Sequence, residues 1–262
     1  MRNKQRHILL SFDVEEFDLP LEYRQSISLE EQLTIGYSGF QKMGELLFAT
    51  NVPATLYTTV VFAENYREEV RALSVRHEIA SHTWSHTHFE TEDLLRSKQA
   101  LEAISATPVY GLRMPRLKTV AAADVLNAGY QYNSSINPTW LPGRYNNLSE
   151  KRTLSQREGI TILPVSVSPR LRIPLFWLAF KNMPYKIFLD LAIQTLKKDG
   201  YLNLYFHPWE LADLGKYRLP FYIKRNPDRL FKKLSRLIAD LSNEGDFSNT
   251  KSFLDNFEKG VQ

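Results

Sequence analysis

The sequence predicts an α/β fold of repeated β–α units. Two observations carry this: short apolar runs alternate with stretches of helical period, and 262 residues, 43% hydrophobic and 24% charged, suit one large packed core. A sandwich would instead show strands following one another with no helices between them. No internal repeat or linker divides the chain, so residues 1–262 are expected to form a single domain.

The strand candidates, in order, are His7 to Asp13, Ala54 to Val60, His77 to Ser81, Tyr110 to Arg113, Gln131 to Ser134, Ile160 to Val165 and Leu202 to His207. A helix is expected from Glu92 to Ile104, with Thr91 as N-cap and Leu94, Leu95, Leu101 and Ile104 on one face. A second, from Lys118 to Ala128, ends at Gly129, which suits the left-handed C-terminal position. A third, from Tyr185 to Lys198, stops at Gly200 after two lysines that favour the helix dipole, and a fourth, from Pro227 to Leu241, opens on proline. Leu19 to Ile35 is polar, lacks strand period and reads as a loop inserted beside the first acidic cluster. Asn137 to Gln156 is rich in turn formers and also reads as loop.

Cysteine is absent, which excludes disulfides and thiolate ligands and leaves His, Asp, Glu or water to hold any metal. The start MRNKQRHILLSFD has too short an apolar run for a signal peptide, so a cytoplasmic protein is expected. No apolar stretch reaches membrane-spanning length. Ile173 to Phe180 (IPLFWLAF), flanked by Arg170, Arg172 and Lys181, is expected as a core strand or a loop over the site. Its alternative is a peripheral contact at the inner membrane face. The formal net charge of +4, with Lys and Arg scattered, argues against nucleic acid, and no protein partner is indicated.

Four constellations carry chemistry. In His82-Thr83-Trp84-Ser85-His86 two imidazoles four apart would share one face of a helical turn and could reach one ion, while His88 falls outside the spacing. In Ser11-Phe12-Asp13-Val14-Glu15-Glu16 strand alternation sets Asp13 and Glu15 on one side, so that one can bind metal and the other take a proton; Glu16 and Asp18 are expected to face away, solvated. Arg113 in Leu112-Arg113-Met114-Pro115 stands at a strand end, where it either pairs with a carboxylate or is solvated. In Leu204-Tyr205-Phe206-His207-Pro208-Trp209-Glu210 an apolar strand delivers His207 to its C-terminal end, where β–α barrels build their sites.

In this order, SFDVEEFD, HTWSH, RMP and LYFHPWE resemble the polysaccharide deacetylase family, the NodB-homology domain of carbohydrate esterase family four. The resemblance implies a distorted (β/α) barrel of about seven parallel strands with a divalent metal ion at the C-terminal strand ends. Residue by residue it implies Asp13 as catalytic base, His82 and His86 as metal ligands, Arg113 as the group orienting the base and His207 as general acid. Where many members have a second Asp after the base, this chain has Val14; it resembles a variant branch in which Glu15 is the third ligand. Relatives of that branch often carry an acid where Asn133 stands.

The implied activity is removal of an N-acetyl group from a sugar of a surface or envelope polysaccharide or its precursor, with zinc, or else manganese, cobalt or iron. Trp209 is the expected platform for a sugar ring, and Pro115 of the third motif is counted with it as substrate-binding. Trp84 reads as core or site, and Trp140 and Trp177 sit in expected loops where either could line the site. Two other functions fit the same residues: hydrolysis of a non-sugar C–N bond, as in allantoinase-like members, and carbohydrate binding without catalysis. A small closed pocket favours the first. The Val14 and Asn133 departures motivate the second, against the joint presence of Asp13, both His ligands, Arg113 and His207.

Overall fold

The computed structural model describes residues 6–259; the basic start at 1–5 and residues 260–262 lie outside the described residues. Its strands are β1 (His7–Val14), β2 (Thr55–Thr58), β3 (Glu78–Ser81), β4 (Gly111–Leu112), β5 (Tyr132–Asn133), β6 (Trp140–Leu141), β7 (Tyr145–Asn146), β8 (Ser155–Arg157), β9 (Ile160–Ile162), β10 (Tyr201–Phe206) and β11 (Asp246–Phe247). The main sheet runs β10-β1-β2-β3-β4-β5-β9, all parallel, with β8 antiparallel on β9 and β11 parallel against β1. These seven parallel strands are the seven expected ones, and the sheet curls into a half-barrel, as the family resemblance implied.

Alternation along β1 builds two environments. Ile8, Leu10, Phe12 and Val14 face outward into the large core under the helices, while Leu9 faces inward with Tyr57, Ala80, Tyr132, Leu163 and Tyr201. Further up the same inward row come Ser11 and Asp13, so the interior is apolar below and polar at the C-terminal strand ends. β9 and β10 do not pair. Their seam is closed by Ser166 N donating to Asn203 O at 3.0 Å, Asn203 N to Ser166 Oγ at 2.8 Å and Asn203 Nδ2 to Pro164 O at 3.0 Å.

The helices are α1 (Leu19–Glu22), α2 (Leu29–Thr50), α3 (Val60–Asn65), α4 (Arg67–Ser74), α5 (Asp93–Ser105), α6 (Ala122–Asn127), α7 (Trp177–Asn182), α8 (Tyr185–Asp199), α9 (Pro227–Ser242) and α10 (Thr250–Lys259). α8 and α9 follow their expected bounds to within a residue, and Gly200 adopts the left-handed conformation at φ 80°. α5 buries Leu94, Leu101 and Ile104, but Leu95 is exposed and Glu92, not Thr91, is the N-cap. α6 starts four residues later than expected because a 3-10 turn occupies Pro115–Leu117. Phe253 and Leu254 of α10 close the apolar lower end of the barrel.

Three loop or strand expectations are corrected. Leu19 to Ile35 is mostly helical: Ser28 accepts a hydrogen bond from Glu31 N at 3.2 Å and starts α2, so the S-x-x-E pattern was the missed signal. Asn137 to Gln156 contains the antiparallel ribbon β6–β7. Ile173 to Phe180 is neither a strand nor wholly a loop, since its last residues begin α7, which buries Phe180 and Lys181.

α2 also positions the site. A Cβ on Gly39 would lie 2.0 Å from Pro208 O, and one on Gly36 would lie 2.6 Å from Glu15 O. The helix therefore touches the backbone of both the Glu15 and the His207-Pro208 segments, which only glycine permits. Gly44, further along α2, meets nothing within 4 Å. Gly39→Ala is expected to cost about 1–3 kcal/mol through overpacking, while Gly44→Ala gains about 0.5–1 kcal/mol from helix propensity. Urea midpoints of the two variants check this; equal shifts would contradict the close approach.

Candidate active site

Parallel register gathers the motifs at one level. One residue beyond the β1–β10 pair Phe12–Phe206 stand Asp13 and His207, and one residue beyond the β3–β4 pair Ser81–Leu112 stand His82 and Arg113. Just past β1, Glu15 Oε2 lies 3.0 Å from His82 Nε2 and 3.2 Å from His86 Nε2, and the three ligand atoms lie within 4.8 Å of one another.

The two imidazoles do not share a helical turn, contrary to the spacing argument. His82 directly follows β3, Thr83 takes a left-handed φ of 65°, and the loop is pinned where Val60 N and Val61 N, at the start of α3, donate to Thr83 O and Trp84 O. His86 comes back to the same point because its N–H donates to Glu16 Oε1 at 2.9 Å. His82 Nδ1 donates to Arg113 O at 2.8 Å, and His86 Nδ1 bonds Asp18 Oδ1 at 2.8 Å. With both Nδ1 atoms engaged as donors, both Nε2 atoms face the Glu15 carboxylate, where a proton or a metal ion can sit between them.

The electrostatics agree. Burial alone would raise Glu15, but His86, His82 and His207 hold its carboxyl well below the usual carboxylate range. Burial alone would lower His86, but Glu15 and Asp18 push it up to about 9. Two imidazole nitrogens and one carboxylate oxygen are a donor set suited to zinc or another divalent ion, with coordination positions left for other ligands.

Glu16 and Asp18 are not solvated acids. Both are buried: Glu16 also accepts from Thr59 Oγ1 at 2.6 Å, and Asp18 Oδ2 receives Arg116 NH2 at 2.7 Å. Arg116, which sequence reasoning passed over, has a left-handed φ of 54° and also donates to His86 O at 2.8 Å and to Glu22 Oε1 at 2.7 Å. No local pattern marks it, because its partners come from other elements.

Arg113 is fully buried. Its NH1 reaches Asp13 Oδ1 at 2.6 Å and Ser11 Oγ at 3.0 Å, its Nε and NH2 reach Ser134 O and Oγ, and its guanidinium lies 3.9 Å above the Tyr57 ring. Burial would lower the Arg113 pKa, but Asp13 more than offsets this and raises it. Among the described residues no donor meets the other Asp13 oxygen, Oδ2.

His207 is backed by Glu210. Glu210 Oε1 accepts from His207 N at 2.8 Å and lies 3.3 Å from His207 Nδ1, while Lys181 Nζ lies 3.0 Å from Glu210 Oε2. Lys181 is itself buried among Trp177, Trp209 and Ile223 O. Burial lowers the His207 pKa, but Glu210 and Glu15 outweigh it and the group is raised.

Trp209 and Pro115, the expected substrate contacts, are placed differently with respect to the cavity. Trp209 touches the cavity but is buried, with its Nε1 donating to Glu15 Oε1 at 3.0 Å and its ring stacked on His207 at 4.7 Å. The indole NH and one face are thus occupied by the site itself. Pro115 does not line the cavity; its neighbours Arg116 and Leu117 do. Asn133 is also away from the reacting groups, accepting from Ser135 N at 3.0 Å and from the Ser135 hydroxyl. Trp177 lines the cavity, Trp140 is exposed, and Trp84 packs on the core beside Arg96. His88 is exposed beside Glu90.

Asp13, Glu15, His82, His86 and His207 all border one cavity of about 350 Å³. A family model for polysaccharide deacetylase matches residues 2–133, which include the first four of these and Arg113. No curated protein matches. Among solved structures, a polysaccharide deacetylase from Mycobacterium smegmatis superposes with a TM-score of 0.66 at 15% identity, covering 100% of this chain and 93% of that one. One from Pseudomonas aeruginosa PAO1 gives 0.69 at 13% identity, covering 99% and 93%. The Puue allantoinase gives 0.64 at 14% identity, covering 96% and 90%. At these identities the likeness is one of fold.

Asp18 stands outside the three-donor group, yet it engages His86 Nδ1. Asp18→Asn is expected to weaken divalent-metal binding by about 10–100-fold with the fold intact. Calorimetric titration with zinc checks this, and unchanged affinity would contradict the orienting role.

Proposed function

The chain belongs to the polysaccharide deacetylase family, and from that premise we propose that it removes an N-acetyl group from a sugar of a surface or envelope polysaccharide precursor. The observation that carries the proposal is one cavity bordered by a three-donor metal set, an ion-paired aspartate and a carboxylate-backed histidine. Glu15, His82 and His86 would hold a divalent ion, zinc or else manganese, cobalt or iron. Bound there, it supplies a Lewis acid for the acetyl carbonyl and lowers the pKa of water.

The chain's own residues do the rest. Asp13 is held at one oxygen by Arg113, which leaves the other to take a proton from the attacking water. His207, engaged at Nδ1 by Glu210, carries its second ring nitrogen toward the leaving amine and protonates it as the C–N bond breaks. Water thereby supplies the hydroxyl of acetate and one proton of the free amino sugar.

Cavity size supports a second reading. At about 350 Å³ the space is at the small end for ligand pockets, suited to one sugar unit and equally to a small non-sugar amide of the allantoinase kind. Acetate release across N-acetylated sugar precursors, with metal removed and restored one ion at a time, decides between them. Activity confined to small cyclic amides would replace the sugar reading with the second.

Two variants follow. Asp13→Asn should keep metal and lose about 10²–10⁴-fold in turnover, whereas Glu15→Gln should lose metal as well. Wild-type acetate release by the first, or unchanged metal content in the second, would reverse those roles. The pH profile tests His207: as an acid it must be protonated, so turnover falls as pH rises through its raised pKa. Glu210→Gln removes a raising charge and should move that alkaline limb to lower pH.

A further inference from the structure

The cavity mouth is bordered by four chain segments, and each carries an exposed apolar side chain together with a cation. Leu21 and Arg24 follow cavity-lining Leu19, and Trp140, 59% exposed, precedes lining Leu141 and shares its ribbon with Arg144. Phe221, 74% exposed, packs its ring 5.7 Å from that of exposed, cavity-lining Tyr222, between Arg218 and Arg225. Leu171, 79% exposed, sits beside Arg170 on a turn leading into lining Phe176. That turn is tied to the base of the ribbon by Thr139 Oγ1 donating to Arg172 O at 2.6 Å and by Arg172 NH1 donating to Pro138 O at 3.1 Å.

Charge on this rim is one-sided. Arg24, Arg170 and Arg218 form no ion pair among the described residues. The lining carboxylate outside the site's own acids, Glu22, is held between Arg116 and Arg144. Elsewhere, large exposed apolar residues such as Phe48 on α2 and Val75 in the turn after α4 do not border the cavity, and scattered apolar residues of this kind are ordinary on a protein surface.

We infer that this rim docks on an anionic phospholipid surface. Leucine, phenylalanine and tryptophan enter the headgroup boundary, and the unpaired arginines meet the phosphates. A polysaccharide strand, charged or neutral, would offer such leucines no apolar interior to bury in, whereas an anionic bilayer meets both the leucines and the cations. Docked in this way, the cavity opens toward the bilayer, so its substrate would be an acetylated sugar attached to a lipid. That last step rests on the deacetylase reading; the docking does not.

The test is co-sedimentation of the whole protein with phosphatidylglycerol vesicles and, separately, with phosphatidylcholine vesicles. Binding to the first and not the second is expected, weakening as salt is raised, with a blue shift of the exposed Trp140 emission. Phe221→Ser combined with Leu171→Ser should weaken binding at least about tenfold, and each of Arg24→Glu and Arg170→Glu by about fivefold or more. These side chains are solvent-facing, and circular dichroism confirms that the variants fold. Absent or equal binding to the two vesicle types, or variants that bind as wild type, overturns the inference. So does a dimer that the Phe221→Ser, Leu171→Ser variant dissociates while vesicle binding is unmoved, because the rim would then belong to a second copy of the chain. No turnover is needed, so failure here leaves the deacetylase reading standing, and absent acetate release leaves the docking standing.

Discussion

Arg113 is the residue on which the rest of the site depends. Its guanidinium, out of water inside the barrel, holds Asp13 from β1 and Ser134 after β5 and covers Tyr57 of β2, while its backbone carbonyl sets the tautomer of His82. A cation buried this deeply persists only with its donors satisfied and a carboxylate opposite. The same residue therefore fixes the orientation of both Asp13 and His82. Any change that loosens it disturbs both.

The pattern repeats around the cavity. His86 is held by Asp18, which is held by Arg116; His207 is held by Glu210, which faces Lys181. These two imidazoles are thus each backed by an acid that is itself paired with a cation. Glu15 differs. Its partners are two imidazoles and the Trp209 indole, with no arginine or lysine among them. That difference singles out Glu15, with the two imidazoles, as the group that could hold a cation.

Below this layer the barrel is held by ordinary packing, and α2 links the two. Gly36 and Gly39, three apart on one helix face, let its backbone lie against the Glu15 and Pro208 carbonyls. The helix therefore buttresses the first and last site segments at once. Its start was written locally in Ser28 and Glu31, but its contact with the site was not.

The sequence by itself determined the strand series, the fold class and the donor types, because alternation and motif spacing are short-range properties of the chain. It placed Asp13, Glu15, His82, Arg113 and His207 at or just past strand ends, and parallel pairing then brings such ends together at one level, with His86 returned to it by the loop that follows. Only the tertiary structure decided that Asp18 bonds His86 across 68 residues and that Trp209 reaches back 194 residues to Glu15. It likewise decided that Pro115 stays out of the cavity while Arg116 borders it. The physical reason is that an acid beside a strand end reads alike whether solvated or buried. Which it becomes depends on the partner that barrel curvature brings opposite it, and no local pattern encodes that partner.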